Sequence, residues 1–341
     1  MLKSFLFPSL LFLMSLTLSL GAPAQDIPTH NKGEQAMIQS IRTAIDQATN
    51  LPLVRVGAGQ SGAQAFQKPS PAGVTSLLVS WQWLERMDTL APGTVVVLPE
   101  HALDEHAQEV VRKNKLHLIL IEGVLHGRRF ATLSQEPPLP LSALAKESFQ
   151  YIVMLGGDTE QLDGTWALYT PQMANDLLQR LPSKAPILIL NGPRTGKYQS
   201  VQPLVENKEA HRTQTDPLTG FVQEQARGRP WSVIDFKFGP EGQPPLSYWG
   251  SALKYCLEHP ETILVLPGES TSMISEALSL GLHPAIFVHS AMTAPSRRYV
   301  AHLVKRGQAT LFPAIPTQRH QDPVPLQEPI VVEKLKTVVS R

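Results

Sequence analysis

The sequence predicts an α/β fold of two Rossmann-like, doubly wound lobes with a cleft between them. Three observations carry this. Short apolar runs alternate with longer helical stretches along most of the chain, the pattern of parallel sheets flanked by helices. Runs such as Thr94-Val-Val-Val-Leu98 and Ile263-Leu-Val-Leu266 lack polar alternation, as expected of strands covered on both faces. The Pro-rich stretch Gln135-Glu-Pro-Pro-Leu-Pro140 interrupts the alternation near the middle and reads as an interdomain linker. At about 100–200 residues per domain, 341 residues supply two cores.

Taken in order, Lys3 precedes an apolar run from Phe5 to Leu20, and Gly21-Ala22-Pro23-Ala24-Gln25 follows. This is the pattern of a secretory signal over residues 1–24, cleaved after Ala24. The expected protein is therefore exported, to a periplasm or outside the cell. The alternative is an uncleaved membrane anchor, since a crossing takes about 20 residues. No apolar stretch of comparable length recurs after Ala24, so no membrane span is expected once the signal is removed. The first lobe is expected over 25–140 and the second over 145–315. The tail 316–341, with modest helix propensity at Pro329–Val339, is expected to pack back on the first lobe. Expected strands are Leu53–Val56, Ser76–Val79, Thr94–Leu98, Leu116–Ile121, Tyr151–Leu155, Ile187–Leu190, Ser232–Phe236, Ile263–Leu266 and Pro284–Val288. Expected helices are Gly33–Ala48, Leu103–Lys113, Pro171–Arg180, Tyr248–Leu257, Ser272–Leu280 and Ser296–Lys305.

Composition narrows the function. Thirty basic against 29 acidic residues leave a net charge of +1, without the basic surplus of a nucleic-acid binder. The single cysteine, Cys256, excludes an internal disulfide and any multi-thiolate metal site. It is expected in the core. His30, His211, His283, His289 and His302 show no zinc-type spacing.

Ligands of open α/β sheets sit outside the carboxyl ends of strands, so the strand-to-helix loops hold the candidates. Ile263-Leu-Val-Leu-Pro-Gly268-Glu-Ser-Thr-Ser-Met-Ile-Ser275-Glu276 runs from a buried strand through a Gly turn into a helix. Hydroxyls and amides converging at a helix N-terminus favour an anion such as phosphate. Glu276, one turn in, is placed to accept from ribose hydroxyls; the plain alternative is N-capping by Ser270 or Ser272. Gly268-Glu-Ser270-Thr-Ser272 also approaches a nucleophile elbow. It lacks the final Gly and the later acid-then-His order of that fold, so a serine hydrolase is rejected. Tyr151-Ile-Val-Met-Leu-Gly156-Gly157-Asp158-Thr159 ends a second strand in a Gly pair that lets a ligand approach the backbone. Asp158 or Thr159 equally suits a cap. Asn191-Gly192-Pro-Arg194-Thr195-Gly196-Lys197 is one residue short of a P-loop, with Tyr198 where Ser or Thr should bind magnesium. It still suits phosphate or carboxylate through Arg194 and Lys197, or is a solvated turn. Leu98-Pro99-Glu100-His101 and Glu122-Gly123-Val-Leu-His126 each put a His at a strand end, giving His126 and His101 as candidate general bases.

Together with Val56-Gly-Ala-Gly59, these motifs in this order resemble the ELM-type mitochondrial-fission family and its bacterial relatives, over most of residues 30–312. The resemblance implies a GT-B arrangement and a glycosyltransferase. The expected donor is a nucleotide sugar or lipid-linked sugar on the second lobe, with a hydroxyl acceptor on the first, and neither metal nor other cofactor. Carried over residue by residue, the donor-binding set is Gly156, Gly157, Asp158, Arg194, Thr195, Lys197, Glu269, Ser270, Ser272, Ser275 and Glu276. Two features depart from the family. His30-Asn-Lys-Gly33-Glu-Gln35 has its Gly and His displaced, and the preceding strand is replaced by the signal-like segment. Nucleotide sugars are moreover cytoplasmic, which favours as alternative an exported, non-catalytic binding protein that retains the GT-B shell.

Overall fold

The computed structural model describes residues 25–29, 32–126, 133–140, 148–161, 165–196, 210–240 and 246–339. The expected signal, 1–24, and Lys197 lie outside them. The first lobe runs α1 (Lys32–Asp46), β1 (Leu53–Ala58), α2 (Gly59–Ala65), β2 (Val74–Val79), β3 (Val95–Pro99), α3 (Glu105–Lys113) and β4 (His117–Ile121). The second begins with β5 (Tyr151–Met154), a ribbon of β6 (Thr159–Glu160) and β7 (Trp166–Ala167), α4 (Pro171–Leu178) and β8 (Ile187–Leu190). It continues through α5 (Pro217–Ala226), β9 (Trp231–Ile234), α6 (Trp249–Glu258) and β10 (Ile263–Pro267). After α7 (Thr271–Ser279) come β11 (Ala285–Phe287), α8 (Ala294–Lys305), β12 (Thr310–Leu311) and finally α9 (Gln327–Val339).

The first sheet is parallel in the order β1-β2-β3-β4. Every crossover steps the same way, so right-handed connections place α2 and α3 on one face. There Ala63, Phe66, Ala107 and Val110 pack on Leu78, Val96 and Leu98. The opposite face is covered from the two ends of the chain. Ile41 of α1 and Val331 and Leu335 of α9 are fully buried against Val56, Val97 and Ile119. The edge of β1 is occupied by the stretch before α1. Ile27 N–H donates to the Val56 carbonyl at 2.8 Å, and the Asp26 carboxylate accepts from Val56 N–H at 3.0 Å.

The second sheet is parallel in the order β12-β11-β10-β5-β8-β9. The chain winds outward from β5 through β8 to β9, then returns to the other side of β5 at β10 and winds out through β11 to β12. The two directions put α4 and α5 on one face, against Val153, Ile189 and Val265. On the other, α6, α7 and α8 lie against Ile152, Leu188 and Leu266. Alternate residues of one strand thus serve opposite cores, which is why these strands read as unbroken apolar runs. Leu133 and Leu139 of the Pro-rich stretch are buried in the second core, and Ser251 Oγ donates to the Pro137 carbonyl at 2.5 Å. Among the described residues no helix is long and apolar enough to cross a membrane.

The lobes meet at a compact joint. The His101 ring stacks on Tyr299 with centroids 4.3 Å apart, and Arg298 Nε donates to the His101 carbonyl at 2.9 Å. Val124 N–H donates to Ser275 Oγ at 3.2 Å, and that oxygen lies 3.0 Å from the Tyr299 hydroxyl.

Candidate functional site

Strands β5 and β10 are neighbours from which the chain departs in opposite directions, and the crevice outside such a switch point is where open α/β sheets bind ligands. A cleft of about 480 Å³ opens there, lined by both lobes. Its size falls in the range of about 300–1,000 Å³ typical of small-molecule sites.

Helix α7 starts at this crevice. Ser270 occupies the N-cap position, yet its side chain makes no capping bond, so the expected capping alternative is not realised there. Thr271 N–H turns back to the Glu269 carbonyl at 3.1 Å, while the amides of Ser272 and Met273 meet no acceptor among the described residues. Ser270, Thr271 and Ser272 all line the cleft. Glu276, one turn further, also lines it and is held by the Trp249 indole, whose Nε1 donates to Oε2 at 2.7 Å.

The glycine loop behaves differently from its expected role. Gly157 N–H donates to Glu269 Oε1 at 2.7 Å, and Glu269 Oε2 bonds His289 Nε2 at 2.5 Å. The two side chains are only 8% and 2% exposed. The protein's own carboxylate therefore fills the seat that a phosphate would take at this amide, and Glu269 ties the loops after β5, β10 and β11 together. Gly156 is packed against Tyr169, and its carbonyl accepts from Thr195 Oγ1 at 2.8 Å. Asp158, 2% exposed, accepts from Tyr169 N–H at 2.7 Å, and its own N–H donates to the Arg194 carbonyl at 3.0 Å. Asp158 and Thr195 thus brace their loops against each other. Ser275 is turned out of the cleft and into the interlobe joint, where it accepts from Val124 and donates to the Thr271 carbonyl at 2.8 Å.

Arg194 is exposed on the cleft wall. Its guanidinium lies 5.9 Å from the Trp166 ring centroid, and among the described residues no carboxylate pairs with it. It is the cation the structure offers to an anionic ligand there.

Both candidate bases reach the cleft from the first lobe. They are not equivalent. Burial, with the nearby charges of Arg298 and His302, lowers His101 to about 3, and its Nε2 is buried without a hydrogen-bond partner. A base that weak is poorly matched to neutral pH. His126 is half-buried, its backbone N–H donating to Glu328 Oε1 at 3.3 Å.

Sequence reasoning missed Trp81 and Gln82 on the first-lobe wall and Phe236, Tyr248 and Trp249 on the second. Trp81 and Gln82 follow β2 after Ser80, so the strand-end rule applied to the Val74–Val79 run would have found them. Among the described residues no group of three or more His, Cys, Asp or Glu is placed to hold a metal ion.

No family model matches the chain, and no curated protein matches it. Among solved structures, the crystal structure of TcCGT1 in complex with UDP is similar at 12% identity and a TM-score of 0.33, over 90% of this chain and 71% of that one. A likeness at that score fixes neither a family nor a ligand. The resemblance to the ELM-type family rests on its motifs alone.

Proposed function

We propose that the protein is a glycosyltransferase of the GT-B type, binding the phosphate-linked sugar donor on the second lobe and the acceptor on the first. The observation that carries this is the uncapped N-terminus of α7 at the β5/β10 switch point. Two unaccepted amides and the helix dipole favour a phosphate there, with Arg194 on the same cleft. In the reaction the acceptor oxygen forms a bond to the sugar's anomeric carbon as the carbon–oxygen bond to phosphate breaks. His126 takes the acceptor's proton, and the departing phosphate keeps the bonding pair, its charge stabilised by the α7 amides and Arg194. Glu276, held by Trp249, accepts from the hydroxyls of a donor ribose. Ser270 and Ser272 stand beside the phosphate, and Lys197, three residues after Arg194 in sequence, adds a second cation. If residues 1–24 direct export, the donor is a lipid-phosphate-linked sugar, for which the phosphate seat is the same.

A panel of nucleoside diphosphates and nucleotide sugars, tested by thermal melting of the full chain, decides the matter. A ligand at 100 times its Kd adds about 2.7 kcal/mol, roughly 5–10 °C for domains of this size. We expect a shift with one nucleoside class, lost in Glu276→Ala while the unliganded melting temperature stays within a few degrees. A folded protein that no nucleotide stabilises would overturn the nucleotide-donor reading. The competing reading, a non-catalytic binding protein on the same shell, is favoured by one observation: the Gly157 amide is already taken by Glu269.

A further inference from the structure

The two walls of the cleft differ in chemistry. On the second lobe Asp158, Glu160, Arg194, Glu269 and Glu276 face it. On the first lobe the described lining residues are aliphatic or aromatic apart from Gln82, His101 and His126, and none is an Asp, Glu, Lys or Arg. Gln82 is the informative one. It is 8% exposed, yet its side-chain amide forms no hydrogen bond among the described residues; only its backbone carbonyl is used, accepting from Ser80 Oγ at 2.7 Å. The amide is therefore open to the cleft rather than sealed in the core, with a donor and an acceptor to offer a ligand there. On the same wall, the Nε2 of His101 is buried and unpartnered. Around these few polar groups stand Met37, Val124 and Leu125, which offer contact area but no hydrogen bonds, and Trp81, which offers a broad ring face and a single indole donor.

We propose that this wall is an acceptor subsite for an uncharged, largely apolar alcohol or phenol, stacked on Trp81 with its hydroxyl held by the Gln82 amide. A sugar acceptor fits less well, because most of its hydroxyls would be buried against groups that cannot pair with them. A carboxylate or phosphate acceptor finds no cation among the described residues of this wall. The assignment of the ligand as an acceptor rests on the glycosyltransferase reading; the binding chemistry does not.

Equilibrium dialysis of the full chain against 2-naphthol, 6-hydroxy-2-naphthoate and methyl β-glucoside tests it. We expect saturable binding of 2-naphthol, with the carboxylate and the glucoside at least about tenfold weaker. Gln82→Leu should weaken 2-naphthol about tenfold, the cost of one lost hydrogen bond at a buried site. Trp81→Ala should do the same and Trp81→Phe restore it, with nucleotide-induced melting shifts unchanged in all three. Tighter binding of the carboxylate or the glucoside, no binding of 2-naphthol, or full affinity in Gln82→Leu would overturn the proposal. Binding of 2-naphthol by a protein that no nucleotide stabilises would leave the subsite standing and remove its role as an acceptor site.

Discussion

At the scale of single residues, the joint between the lobes turns on Gly123. Its φ is +71°, and a Cβ there would lie 2.4 Å from Ser275 Oγ and 2.9 Å from the Tyr299 hydroxyl. Any side chain is therefore both strained in its backbone and driven into the opposite lobe. Gly123→Ala is expected to cost roughly 1–3 kcal/mol of unfolding free energy in urea titration, and an unchanged midpoint would show that the joint yields freely. What could be read beforehand at this scale follows chain order: Ser270, Ser272, Glu276, Arg194 and His126 all come after strand-like runs, and all five line the cleft. The role of Gly157 could not be read, because its partner Glu269 is 112 positions away. Nor could the turn of Ser275, since whether a helical serine faces cleft or joint depends on where the other lobe stands.

At the scale of elements, α9 shows how the first lobe is completed. Its sheet winds in one direction only, so the crossovers leave one face bare until α1 and α9 cover it. Leu335 is fully buried in that layer, and Lys334 Nζ donates to the Leu120 carbonyl of β4 at 2.9 Å. Leu335→Ala should cost about 2–5 kcal/mol, read as an earlier denaturation midpoint with an unchanged slope. A loss below about 1 kcal/mol would mean that the helix merely rests on the sheet. The nine expected strands were legible to within a residue or two because continuous burial leaves continuous apolar runs; the two-residue strands β6, β7 and β12 are too short to leave one. Helix α2, Gly59-Gln-Ser-Gly-Ala-Gln-Ala65, was not, for it has no apolar period. It forms where Gly57 and Gly62 let backbone approach backbone, a Cβ on Gly57 coming within 2.8 Å of the Gly62 Cα. Helix α5 lies outside the expected helices although its start signal is plain: Asp216 accepts from Thr219 N–H at 2.8 Å, with Pro217 in the first turn.

For the molecule as a whole, the stacking of His101 on Tyr299 ties lobe closure to pH. Burial first, then the charges of Arg298 and His302, hold the imidazole down to about 3. In the unfolded chain it binds a proton near its ordinary value of about 6.5. Between those values the unfolded state binds more protons than the folded one, so stability declines as the pH falls through 6.5 towards 3. At pH 5 the loss from this group is on the order of 2 kcal/mol. His101→Phe keeps an aromatic ring against Tyr299 but cannot be protonated, so it should flatten this part of the profile. The comparison to make is urea unfolding of both proteins at pH 7 and pH 5. The wild-type should lose about 2 kcal/mol more than the variant over that interval; equal losses would mean that His101 takes up its proton in the folded protein as readily as an exposed imidazole, and that the joint is open to water.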